Sequence, residues 1–237
     1  MSGGGAKPLS GPDDAVAERD ALRRAAAELG LCLPDLAFDR LLAYLELLRK
    51  WNVAYNLTAV RDPAQMRVQH LADCLAAIGP LRSQWAELGV WGRAAGQPAL
   101  TLLDVGSGAG LPGVLLATVE PMWDVSCVDA VGKKAAFVRQ VAAELVLTNL
   151  HALHARVESL SGPAFDVITS RAFAALPDFV RLTRERLAPG GVWMAMKGRV
   201  PDAEIASLPA EVEVFHVEQL VVPGLDANRC LIWMRRR

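Results

Sequence analysis

From residue 100 to the end, short unbroken apolar runs alternate with amphipathic stretches, and this alternation constrains the fold more than any other feature. The runs at 100–105, 124–128, 150–154, 165–169 and 191–196 read as strands buried on both faces. The stretches at 112–119, 132–147 and 174–188 read as helices between them. Such an order predicts a parallel sheet with helices on both faces. Two more strand-like runs, Val212 to Val217 and Cys230 to Met234, close the chain after a short helix. The expectation is an α/β, Rossmann-like, doubly wound, seven-stranded and mostly parallel sheet over residues 100–237.

The first hundred residues carry a different pattern. Residues 13–30, DDAVAERDALRRAAAELG, have an acidic start and a closing glycine, which predicts a helix. A second helix is expected from Asp35 to Trp51, with Phe38, Leu41, Leu42, Leu45 and Leu48 on one face. The segment NVAYNLTAVRDP reads as a turn, after which Asp62-Pro63 starts a third helix that runs to Ile78 and ends at Gly79-Pro80. Residues 81–99 read as a connector with about one helical turn; Trp85 and Trp91 within it read as packing residues, with a base-stacking surface as the alternative. Residues 13–99 are thus expected to form a helical cap and connector, and residues 1–12 a disordered tail.

Composition narrows the class. Of 237 residues, 52% are hydrophobic and 22% charged, too apolar for general disorder. No apolar run approaches the roughly 18–20 residues of a membrane span, and the start MSGGGAKPLSGPDD lacks the plan of a signal peptide. Cys32, Cys74, Cys127 and Cys230 are scattered, without CxxC or histidine at metal spacing. All four read as buried, reduced thiols in a cytoplasmic chain, with no metal and no membrane contact. A net charge of −1 argues against a globally basic nucleic-acid coat but not against a locally basic face.

The first strand runs into DVGSGAGLPG, Asp104 to Gly113, with glycines at 106, 108, 110 and 113. Ligands of open parallel sheets sit beyond the carboxyl ends of the strands, where this loop falls. Glycines let the chain turn sharply and let a ligand touch backbone, and Pro112 suits the first turn of the next helix. The spacing is GxGxG rather than the GxGxxG that aims a helix at a dinucleotide pyrophosphate. A carboxylate at Asp104 disfavours a pyrophosphate and suits a ligand with an ammonium or sulfonium. Asp129 ends the second strand, where it can accept hydrogen bonds from ribose hydroxyls, cap the next helix, or do both. Arg156-Val157-Glu158 follow the third strand and can read an adenine edge.

These residues carry a resemblance. LLDVGSGAGLPG and CVDAVGKKAAFVRQV resemble the first two motifs of class I S-adenosylmethionine-dependent methyltransferases. WNVAYNLTAVRDPAQMRVQHLADC, ARVESL, SRAFAAL, MKGR and NRCLIW resemble the bacterial small-subunit ribosomal RNA guanine-N7 methyltransferases, also called glucose-inhibited division protein B, over about residues 38–234. The resemblance implies S-adenosyl-L-methionine as methyl donor and 16S rRNA, free or within 30S particles, as partner. It implies guanine 527 in ribosomal numbering, in the 530 loop, as the acceptor. Cofactor contacts carried over by the motifs are Gly106, Ser107, Gly108, Leu111, Asp129, Ala130, Arg156, Val157, Glu158 and Arg171. Asn56, Lys197, Arg229 and again Arg171 match the family's polar pocket residues and are expected to position the substrate.

The residues also limit the acceptor atom. Thr169 to Phe173 hold no Asp/Asn-Pro-Pro-aromatic loop of the kind that orients an exocyclic amine, and no cysteine has the Pro-Cys setting of pyrimidine C5 chemistry. Guanine N7 carries a free lone pair and needs no general base. His70 accordingly reads as structural support near the pocket, and His151, His154 and His216 show no partner pattern. Arg171 can bind a carboxylate, a phosphate or guanine O6, or form a surface ion pair with Asp178 or another acid. Lys133, Lys134 and Arg139 form a candidate phosphate-facing patch. Arg181, Arg184 and Arg186 read as a solvated face, and Arg235 to Arg237 as a loose RNA contact or as nothing specific. A small-molecule methyltransferase and a nucleotide-binding redox regulator on a Rossmann-like sheet are the alternatives. No coiled-coil seam is present, and a monomer is expected.

Overall fold

A computed structural model describes residues 12–87 and 98–237. The tail expected at 1–12, up to residue 11, and Trp91 lie outside the described residues. One seven-stranded sheet runs β1 (Leu100–Val105), β2 (Trp123–Asp129), β3 (Leu150–His154), β4 (Phe165–Arg171), β5 (Leu187–Lys197), β6 (Val212–Leu220) and β7 (Arg229–Arg236). Their order across the sheet is β3-β2-β1-β4-β5-β7-β6. β1 to β5 are parallel, while β7 runs antiparallel to both β5 and β6. The chain winds outward from β1 in one direction and returns to add β4 on the other side. The crevice at the carboxyl ends of β1 and β4 is therefore the topological switch point.

Alternation along the strands divides the core between the two faces. Leu102, Val125, Cys127, Val167, Met194 and Trp233 pack on one side, and Leu103, Val128, Ile168, Trp193 and Ile232 on the other. The helices after the strands, α6 (Gly113–Val119), α7 (Gly132–Glu144), α8 (Leu176–Thr183) and α9 (Asp202–Ala206), cover these faces. On the α6/α7 side, the N-terminal helices α1 (Pro12–Glu28) and α2 (Asp35–Tyr55) share the sheet's core. Leu22, Leu41, Leu45 and Leu48 belong to the same buried cluster as Leu102 and Val125.

Several boundaries differ from the sequence expectation for local reasons. α2 continues one turn past Trp51, because Asn52 is buried and its Oδ1 accepts the Thr58 N–H at 2.9 Å. The helix stops at Asn56, which adopts the left-handed conformation (φ 49°) that asparagine tolerates. The third helix is broken into α3 (Pro63–Met66), a π-helical turn (Arg67–Ala72) and α4 (Asp73–Leu75). Gly79-Pro80 does not end it but lies in the first turn of α5 (Ile78–Glu87), where proline's missing N–H costs nothing. The connector is thus more helical than expected, and Trp85 is partly buried against the core. α8 ends at Thr183, not 188: a 3₁₀ turn (Arg184–Arg186) delivers Leu187 into β5 beside Phe165, and its burial there outweighs helix propensity. Cys74, Cys127 and Cys230 are buried as expected, whereas Cys32, in the link between α1 and α2, is exposed.

Candidate active site

The glycine loop fills the turn between β1 and α6. Gly106, Gly108 and Gly110 have φ of 64°, 60° and 82°, in the left-handed region open to glycine. A Cβ on Gly106 would lie 2.4 Å from the Phe173 ring, so the loop after β4 packs directly on this glycine. Asp104 does not face a ligand as the sequence reading expected. Its carboxylate is fully buried and accepts the Gly113 N–H at 2.9 Å, where the absent Cβ leaves room for it. Burial pushes this carboxyl up to about 7, against the Gly113 hydrogen bond and the Arg171 charge, which favour the ionised form. Asp104 thus fastens the loop from beneath. From the helical cap, Tyr44 fastens it from above: its fully buried hydroxyl donates to the Ala109 carbonyl at 2.8 Å.

Asp129 serves the loop and the next helix at once. Its Oδ2 accepts the Gly108 N–H at 3.0 Å, its Oδ1 accepts the Val131 N–H at 2.8 Å, and Lys134 Nζ lies 3.7 Å away. Beside it opens a cleft of about 330 Å³ lined by Gly106, Asp129, Ala130, Arg156, Val157 and Glu158, among others. Val157 is buried at its base, while Arg156 and Glu158 are exposed at the rim with 3.7 Å between their charged groups. The three consecutive strand ends singled out in the sequence therefore meet in one hollow.

A second cleft, of about 590 Å³, adjoins the first across Gly106, Lys134 and Ala172. Ser107, Gly108 and Leu111 line it on one side, and Arg171, Lys197 and Arg229 on the other. Ala172, between the clefts, holds a left-handed φ of 57°, a strained setting for alanine. Arg171 is paired with Asp73, not with Asp178: its Nη1 donates to Asp73 Oδ2 at 3.1 Å and to the Gln69 carbonyl at 2.9 Å. Arg229 Nε reaches the other oxygen of Asp73 at 2.7 Å. Lys197 Nζ is held by Glu204 Oε2 at 2.9 Å and the Ala174 carbonyl at 3.1 Å, and the same Glu204 oxygen accepts the first N–H of α8, from Leu176. Asn56 stays outside this cleft, exposed and bonded to Arg61 at 3.1 Å, while its neighbours Leu57 and Thr58 line it.

His70 also lines the second cleft, with Nε2 2.9 Å from Thr58 Oγ1. Burial first, and then the Arg171 charge, push its imidazole down to about 4, so the ring is neutral near pH 7. Support rather than proton transfer suits such a ring. His151 and His216 do have acidic neighbours, Asp124 at 2.6 Å and Glu218 at 3.7 Å. Sequence reading missed Asp73, Tyr44 and Glu204. The signal for Asp73 was a lone acid in the apolar run HLADCLAAI, and for Tyr44 a polar tip among leucines on the buried face of a helix.

A sheet ordered β3-β2-β1-β4-β5-β7-β6 with only β7 reversed, carrying a glycine loop after β1 and an acid at the end of β2, defines a class I S-adenosylmethionine-dependent methyltransferase. The fold is shared with the crystal structure of a mutant of MtNAS, at a TM-score of 0.52 and 16% identity over 85% of this chain and 75% of that one. Residues 38–232 match the model of the GidB family, rRNA small subunit methyltransferase G, and the chain belongs to that family. Ribosomal RNA small subunit methyltransferase G of Acidovorax sp. (strain JS42) is 59% identical, over 91% of this chain and 94% of its own. The protein of that name from Methylibium petroleiphilum is 58% identical, over 95% and 98%.

Proposed function

We propose that this chain transfers the methyl group of S-adenosyl-L-methionine to N7 of a guanine in 16S rRNA, guanine 527 in ribosomal numbering. The observation that carries the reading is the pair of clefts joined over Gly106, one walled by Asp129 and the third-strand triplet, the other by Lys134, Arg171, Lys197 and Arg229. The adenosine part of the cofactor fits the first, with its methionine part reaching past Gly106 towards the second. Asp129 uses each oxygen once on backbone N–H groups and keeps lone pairs for two ribose hydroxyls. Val157 and Glu158, with Arg156 at the rim and Ala130 beside Asp129, would hold the adenine, and the backbone of Gly106, Ser107, Gly108 and Leu111 would hold the methionine portion, with Arg171 available to its carboxylate or to the acceptor. The cofactor supplies a methyl group made electrophilic by its sulfonium.

The protein's share is placement. Arg171, Lys197 and Arg229 offer N–H donors to the oxygens of an RNA nucleotide. Asp73 and Glu204 hold these cations and the neutral His70 is bonded to Thr58, so we assign none of the three as a general base. N7 needs none, because its lone pair attacks directly. Holding N7 in line with the methyl group can lower the barrier by roughly 7–11 kcal/mol. Asn56 acts from outside the cleft, by ending α2 so that Leu57 and Thr58 enter it. The family to which the chain belongs favours neither a small-molecule acceptor nor a redox role. No described helix is long and apolar enough to cross a membrane; we place the chain in the cytoplasm as a monomer.

The test is methyl transfer to 16S rRNA and to 30S particles from a strain lacking this protein, read as N7-methylguanine by mass spectrometry of nuclease fragments. Failure to gain the modification on either substrate refutes the assignment. Arg171→Ala is expected to cut transfer at least about tenfold while leaving the circular dichroism spectrum unchanged; activity near the unmodified level would remove Arg171 from the site.

A further inference from the structure

Asp73 is the one charged residue of the second cleft that is almost fully buried, at 2% exposure, yet each of its oxygens is taken by an arginine of the cleft wall. The acid follows the π-helical turn directly, and the same turn offers the Gln69 carbonyl to Arg171. Arg229 is held at a second point by the Asn228 carbonyl, 2.8 Å from its Nη1. Both guanidinium groups are thus anchored through protein contacts before any ligand arrives.

An unrestrained arginine grips the outer edge of guanine bidentately, through O6 and N7 together. That grip would occupy the lone pair that has to attack the methyl group. It would also bring two uncompensated positive charges to a site that RNA phosphates can reach. We propose that Asp73 is a positioning residue for the methyl acceptor: it holds Arg171 and Arg229 so that they donate to oxygens of the acceptor nucleotide while N7 stays unclaimed. The proposal deepens the N7 reading and rests on it. Asp73 does not touch the reacting atoms; it removes one edge of each guanidinium from competition and cancels one of the pair's two charges.

The two variants Asp73→Asn and Asp73→Glu separate this role from plain structural support. Single-turnover methylation, rRNA affinity and S-adenosylhomocysteine affinity are measured on each folded variant. For Asp73→Asn, the methylation rate is expected to fall roughly 100-fold, the cost of about 1 Å of misplacement. rRNA affinity is expected to stay or rise, since a negative charge has left the site, and S-adenosylhomocysteine affinity to change less than about twofold. Asp73→Glu keeps the charge and both oxygens and is expected to recover most of the rate. Parallel loss of rate and both affinities, or an unchanged rate in Asp73→Asn, overturns the proposal. Where Asp73→Asn fails to fold by circular dichroism, Asp73→Ser takes its place: a reduced rate with both affinities kept supports the proposal, and an unchanged rate or loss of all three overturns it. The unmodified protein is assayed alongside. Methylation by it of an atom other than N7 refutes the proposed function, while the ratio of variant to unmodified rates still reports on Asp73.

Discussion

His70 and Asp104 are buried titratable groups on neighbouring parts of the site, and they respond to pH in opposite senses. The His70 imidazole titrates near 4 in the folded chain against 6.5 when unperturbed, so between these values the unfolded chain binds more protons. Stability from this group therefore falls as pH drops from 6.5 towards 4, by up to about 3 kcal/mol. Asp104 titrates near 7 rather than 3.8, so the folded chain binds more protons in that window and loses stability as pH rises through it. Replacing His70 with Gln keeps a neutral partner for Thr58. Urea denaturation from pH 7 to 4 is expected to show His70→Gln less acid-sensitive than the unmodified protein, and equal slopes would contradict the buried neutral ring. The sequence pointed to His70 as a support because attack by guanine N7 needs no general base. Its hydrogen bond to Thr58 depends on a turn that periodicity does not reveal.

At the scale of elements, the glycine loop is a bare turn clamped between two polar struts, Asp104 below and Tyr44 above. Tyr44→Phe removes only the hydroxyl and leaves the Ala109 carbonyl without this buried donor, at a cost of about 1–2 kcal/mol. A loosened loop is expected to weaken S-adenosylhomocysteine binding several-fold, measured by calorimetry. Loss of stability with unchanged affinity would show that α2 does not brace the cofactor site. The loop itself was legible, since its glycines and its place after the first strand are matters of local sequence. The orientation of Asp104 was not: whether an acid at a strand end faces the ligand or the helix behind it is decided by the space left at Gly113.

For the whole molecule, the helical cap and the sheet are parts of one packing unit. α2 lies on α6 and α7, and its apolar face joins the buried cluster of β1 and β2. The complete chain is expected to unfold in a single transition, with tryptophan fluorescence and far-ultraviolet circular dichroism coinciding. A fragment of residues 100–237 would expose the α6/α7 face and is expected to lack a cooperative transition. Two separated transitions in the complete chain would contradict this unity.

The alternation of apolar runs and amphipathic stretches was enough to determine a parallel sheet, its strands to within a few residues, and the place of the ligand loop. Those properties follow from unbroken apolar runs, from the 3.6-residue period of the helices between them and from glycine's freedom at positive φ, all carried by neighbours in the chain. The acid of β2 and the triplet after β3 were legible for the same reason. Tertiary structure alone decided that Asp73 meets Arg171 and Arg229, 98 and 156 residues away, and that Tyr44 meets Ala109, 65 away. A π-helical turn sets where Asp73 falls, and the seating of the cap on α6 and α7 sets where Tyr44 points. Neither leaves a periodic trace, because each depends on which buried surfaces close on one another.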